Sequence, residues 1–117
     1  MIFVAFHMVI RDGEKEYGTP YIASIQGNEL SDELVELTLM CHCAMPELGI
    51  DPNGDDYEIH DDHKIEAHNG DYRWVWIDSD FKRVPKEYFE ILKQYGICAF
   101  ENLKVAHNLK RLNNLGR

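Results

Sequence analysis

The chain predicts an α+β domain, a mainly antiparallel sheet of about five to six strands packed against two helices in two layers. Three observations carry this. Residues 2–10 are apolar on both alternating faces, Asn69-Gly70 stands between two extended stretches, and two segments bear helix start and stop signals at Ser31 to Pro46 and at Pro85 to Gly96.

In order, Ile2, Val4, Phe6, Met8 and Ile10 line one side of the opening segment and Phe3, Ala5, His7 and Val9 the other, as in a central strand covered on both faces. Asp12-Gly13 marks a turn, and Lys15 to Gln26 resumes an extended pattern in which Gly18 and Pro20 predict a bulge or break. Ser31 followed by Asp32 and Glu33 caps a helix, and Pro46 is expected to end it, since the residue before a proline is pushed from the helical region. From Leu37 to Met45 that helix is apolar almost all round, so it is either buried or meets a partner.

Tyr57 to His60 reads as a short strand. Lys64 to His68 and Asp71 to Asp78 flank Asn69-Gly70, the preferred two-residue hairpin loop. That register pairs His68 with Asp71, Glu66 with Arg73, Ala67 with Tyr72, Ile65 with Trp74 and His63 with Trp76, and it places Tyr72, Trp74 and Trp76 on one face as a core surface or a contact anchor. Pro85 to Tyr95 forms a second helix with Tyr88, Ile91, Leu92 and Tyr95 as its apolar stripe and Gly96 as its cap. Ile97 to Phe100 is a last strand. Residues 1–105 thus make one domain, and 106–117 a basic tail or short helix.

The 117 residues are enough for one domain with its own core. Charge is uneven: Lys104, Lys110, Arg111 and Arg117 follow the last acid, Glu101, so residues 1–101 hold eight basic groups against 21 acidic ones, a net of −13. Such a field repels nucleic acid and anionic membranes and steers the body toward cationic surfaces. Three cysteines without a disulfide spacing, together with an apolar start that lacks a basic region and a cleavage site, predict reduced thiols in a cytoplasm. No run reaches the length of a membrane span.

Seven carboxylates, Glu47, Asp51, Asp55, Asp56, Glu58, Asp61 and Asp62, occupy a stretch with no lysine or arginine. Asp51, Asn53, Asp55, Tyr57, Ile59 and Asp62 fall at the ligand positions of a calcium loop. Asp56, however, stands where that loop needs glycine, and a short aspartate closes it, so a solvated turn on Pro52-Asn53-Gly54 outweighs calcium. His60, Asp61, Asp62, His63 and His68 offer imidazole and carboxylate ligands for zinc or iron, but strand alternation sends His60 and His68 to one face and His63 to the other. Cys41-His42-Cys43 lacks the spacing of a zinc knuckle and reads as small core residues. No catalytic constellation and no cofactor motif stands out.

The expected function is therefore non-enzymatic. The acidic stretch is presented to a partner protein with a basic surface, as an inhibitor or regulator of a nucleic-acid-handling partner and a mimic of its phosphates. Small acidic inhibitors encoded by phages, anti-CRISPR and anti-restriction proteins among them, are similar in size and sign. The alternatives are a metal-binding protein or metal-dependent enzyme using His60 to His68, and a homodimer or larger structural assembly packed through the Ser31 to Met45 helix.

Overall fold

A computed structural model describes residues 1–70 and 72–106. Of the tail expected over 106–117, all but Ala106 lies outside the described residues, and Ala106 is buried.

The elements run β1 (Ile2–Asp12), β2 (Lys15–Gln26), α1 (Asp32–Leu39), a π-helical turn (Met40–Ala44), α2 (Met45–Glu47), β3 (Tyr57–Ile59), β4 (Ile65–Ala67), β5 (Arg73–Ile77), β6 (Lys82–Arg83), α3 (Lys86–Gln94) and β7 (Cys98–Lys104). They form an α+β fold with one mixed seven-stranded sheet in the order β3-β4-β5-β1-β2-β7, β6 also pairing with β1. Every pairing is antiparallel except β2 with β7. The continuously apolar β1 takes the centre, where both of its edges and both of its faces are used.

The helices do not share a layer. Ile2, Val4, Phe6 and Met8 pack with Val35, Leu39, Met40, Cys43, Ala44 and Met45 under the α1–α2 rod. α3 instead sets Phe89 against Phe3, centroids 5.0 Å apart, on the opposite face, where Ile22 is also buried. The expected two layers become helix, sheet, helix. The cause lies in β1, whose Phe3 and Ala5 need cover as much as Ile2 and Val4 do.

Ser31 Oγ accepts the Leu34 N–H at 3.2 Å, as its cap position predicts. Pro46 does not end this helix. The Met45 N–H reaches back five residues to Met40 O, and this wider π turn opens the place where the proline ring would meet a carbonyl one turn earlier. The helical rod ends at Gly49 instead (φ 68°), with Gly49 N–H donating to Pro46 O and Ile50 N–H to Met45 O. The apolar second half of the helix is spent in the protein's own core, leaving little of it to pack on a second copy.

β2 is unbroken at Gly18 and Pro20, because β7 begins its pairing only at Tyr21 and the missing proline donor costs no ladder bond on that side. The irregularity falls between Ala23 and Ile25. There Asn102 of β7 takes a positive φ of 58°, and its N–H donates to the buried Ser24 Oγ at 2.7 Å. On α3 the expected stripe is not the buried one: Tyr88, Ile91 and Tyr95 are exposed and Leu92 half-buried, and the residue that packs on the sheet is Phe89, outside that stripe.

The register of β4 with β5 is one residue off the expected one. Ala67 pairs with Arg73, Glu66 with Trp74 and Ile65 with Val75, and the connection spans 68–72. Asn69 is engaged otherwise than in a two-residue turn. Its Nδ2 donates to Leu48 O at 3.0 Å, and its Oδ1 accepts from Arg73 Nη1 at 3.4 Å, so no Glu66–Arg73 pair forms. The positive φ falls at Tyr72 (55°), whose carbonyl accepts the Gly13 N–H. This shift turns Val75 and Ile77 into the core and Trp74 and Trp76 out of it, correcting the expected core role of the tryptophan face.

Candidate functional site

The β3–β4–β5 end of the sheet gathers most of the chemistry. Its inward residues Tyr57, Ile59, Ile65, Ala67, Val75 and Ile77 are buried. Outward, alternation aligns Glu58 of β3 with Glu66 of β4, Trp74 of β5 and Arg11 of β1 in one cross-strand row. Beside that row stand His60, Lys64 and Trp76 on one side and His68 on the other.

Within this patch His60 Nε2 donates to Glu66 Oε1 at 3.0 Å and lies 3.8 Å from Glu58 Oε2. His68 Nε2 lies 3.9 Å from the same Glu58 oxygen. One nitrogen of His68 and one oxygen each of Glu58 and Glu66 all fall within 4.8 Å of one another. The His60 ring rests on Trp74, centroids 4.7 Å apart, and Lys64 Nζ sits 4.4 Å over the Trp76 ring. Arg11, Asp62, Lys64, Trp74 and Trp76 line a shallow hollow of about 220 Å³ alongside.

The remaining histidine-segment residues go elsewhere. His63, in a left-handed turn (φ 65°), pairs with Glu36 of α1 on the helix side of the sheet. Asp62 Oδ1 accepts the Lys64 N–H, closing the β3–β4 turn. Asp61 is exposed in that turn. The structure therefore joins His60 with His68 but not with His63. It also adds Glu58 and Glu66, which were not read together as ligands. Strand alternation puts Glu58 on the face of His60 and Glu66 on the face of His68, but only the β3–β4 register makes the two carboxylates direct cross-strand partners.

All seven carboxylates of the acidic stretch are exposed. Asp55 and Asp56 precede β3, Glu58 is within it, and Asp61 and Asp62 follow, so the group frames an edge strand at both ends. Asp51 folds a local turn, its Oδ1 accepting the Asn53 N–H at 2.9 Å and its carbonyl the Gly54 N–H. That is the solvated Pro52-Asn53-Gly54 turn, and past Asp62, where a calcium loop would lead into a helix, the chain enters β4 instead. Glu47 stands apart at the end of α2, where its charge, after burial, helps raise the Tyr21 phenol above its ordinary value. Tyr72 is 75% exposed at the tip of the β4–β5 connection.

The cysteines are free thiols. Burial pushes Cys43 far above the ordinary thiol value and raises Cys41 too, the opposite of what a nucleophile needs. His42 is not beside them as a base: its Nε2 donates to Lys104 O at 2.9 Å, tying the π turn to the end of β7. Among the described residues no helix is long and apolar enough to cross a membrane. No known family model, characterised protein or solved structure matches the chain.

Proposed function

We propose that this protein is a non-enzymatic binding module that offers the carboxylates framing β3 to a basic surface on another protein. The concrete form of the proposal is inhibition of a nucleic-acid-handling partner whose phosphate-binding groove these carboxylates fill. The observation that carries it is the exposure of all seven acids of the 47–62 stretch, with none sunk into the core to serve the fold. A net of −13 over residues 1–101 supplies long-range attraction of the same sign. Half-buried Trp74 and Trp76 and exposed Tyr72, on the neighbouring strand and connection, provide aromatic anchors of the kind that dominate binding energy at interfaces.

The test is reversal of charge at Asp55, Asp56, Asp61 and Asp62 together, all exposed and outside the inward face of the sheet. Proteins retained by the wild type at low salt are expected to be released at high salt and not retained by the reversed variant, because complementary charge governs encounter and is screened by ions. Retention of every partner by the variant would remove the proposal.

A further inference from the structure

We infer that Glu58, Glu66 and His68 form a binding site for a divalent transition metal of the zinc class, with His60 as the residue that positions Glu66. Three donor atoms from three side chains lie within 4.8 Å of one another on the outward face of β3 and β4. A small rotation of the exposed Glu58 and His68 side chains toward the half-buried Glu66 brings the three to the separations found around a bound ion. The donor set, one imidazole nitrogen and two carboxylate oxygens, suits zinc or manganese and not a soft, thiol-seeking ion.

A second observation points to a cation independently of that geometry. Glu58 and Glu66 are direct cross-strand partners, and like charges in that position destabilise a sheet. Among the described residues, the ion pairs recorded for either carboxylate are with His60 and His68 alone, and no lysine or arginine pairs with them. A strand pair with two opposed carboxylates and flanking imidazoles has its charge balanced by a divalent ion bound to deprotonated acids and neutral histidine.

His60 is a positioning residue. Its Nε2–H donates to Glu66 at 3.0 Å while its ring lies tilted against Trp74, centroids 4.7 Å apart, so the carboxylate is aimed by an imidazole that is itself held. Three protein ligands leave a coordination position open toward solvent, since His68 and Glu58 are exposed. Water fills that position, or a donor from a bound partner does. Glu58 belongs to the acidic stretch as well, but none of the four aspartates reversed above is a ligand here, so the two tests fail independently.

The experiment is zinc binding to tag-free protein, read by native mass spectrometry for stoichiometry and by calorimetry for affinity, with manganese as a second probe. One zinc per chain is expected. Glu58→Gln, Glu66→Gln and His68→Gln should each weaken binding more than tenfold, and His60→Gln by about 10- to 100-fold. Asp61→Asn with Asp62→Asn should change it less than twofold. Cobalt substitution adds a readout of geometry: its visible spectrum should change in His60→Gln as Glu66 loses its aim. Urea midpoints of metal-free Glu58→Gln and Glu66→Gln, expected at or above the wild type, separate lost ligands from lost folding. Absence of a stoichiometric zinc adduct overturns the proposal, as does equal binding by His68→Gln and the wild type.

Discussion

The two faces of β3, β4 and β5 are built from alternate residues of the same short strands, yet they share almost no chemistry. Inward stand Tyr57, Ile59, Ile65, Ala67, Val75 and Ile77, all buried against the α1–α2 rod. Outward stand Glu58, His60, Glu66, His68, Trp74 and Trp76, none of them buried. Apolar burial is concentrated on one face and titratable and aromatic side chains on the other, so substitutions should separate the two cleanly. A slip of one residue would exchange the whole set, which is why the register matters more here than the length of any strand.

The largest effect should come from the inward face. Ile65→Ala removes most of a fully buried side chain and is expected to cost about 2–5 kcal/mol. Glu66→Gln, the next residue and outward, should leave stability unchanged or raise it by a few tenths, to about 0.5 kcal/mol, since it relieves the opposed carboxylates. Urea unfolding of metal-free protein at neutral pH measures both. Equal losses in the two variants would mean that the faces are not energetically distinct.

Next in size is the buried hydroxyl that fixes the chain after β7. Thr38 Oγ1 donates to Leu34 O at 2.7 Å and accepts the Ala106 N–H at 3.1 Å, so it satisfies an amide that is itself out of water. Thr38→Val keeps the shape and orphans that amide, a loss of about 1–3 kcal/mol. Hydrogen exchange should locate the change at Ala106. If that amide exchanges no faster in the variant, the contact does not hold the segment.

What could be read from the sequence follows from how local the cause is. β1, the Asp12-Gly13 turn, the Ser31 cap and the Gly96 stop depend on residues a few positions apart and came out as read. The Asn69-Gly70 register did not. Asn69 is captured by Leu48, 21 residues away, and a tertiary contact of that kind leaves no local trace. Pro46 misled for a related reason: a proline normally stops a helix, but a preceding π turn accommodates it here, and the core demand for Met45 and Leu48 keeps the rod going. The site was half visible. His60 and His68 were placed on one face by alternation, while Glu58 and Glu66 join them only once β3 and β4 are paired.

The smallest effect concerns the thiols, and its sign follows from burial. Cys43 faces the core from the π turn, and burial, followed by the charges of Cys41, Glu47 and Cys98, lifts its value well above the ordinary 9.0. Well below 9.0 the thiol is protonated in both states and contributes no slope. Above it the unfolded chain releases the proton and the folded chain keeps it, so stability should fall as pH rises, by at most about 1.4 kcal/mol per pH unit from this group. Cys41 and, above pH 10, Tyr21 act in the same direction, since both are raised. Urea midpoints between pH 8 and about 10.5 should therefore decline less steeply in Cys43→Ala than in the wild type. Native alkylation should meanwhile modify the exposed Cys98 and spare Cys43 until the protein unfolds. An unchanged slope in Cys43→Ala would show that the π turn opens to water, and the inward face would then not be the dry one.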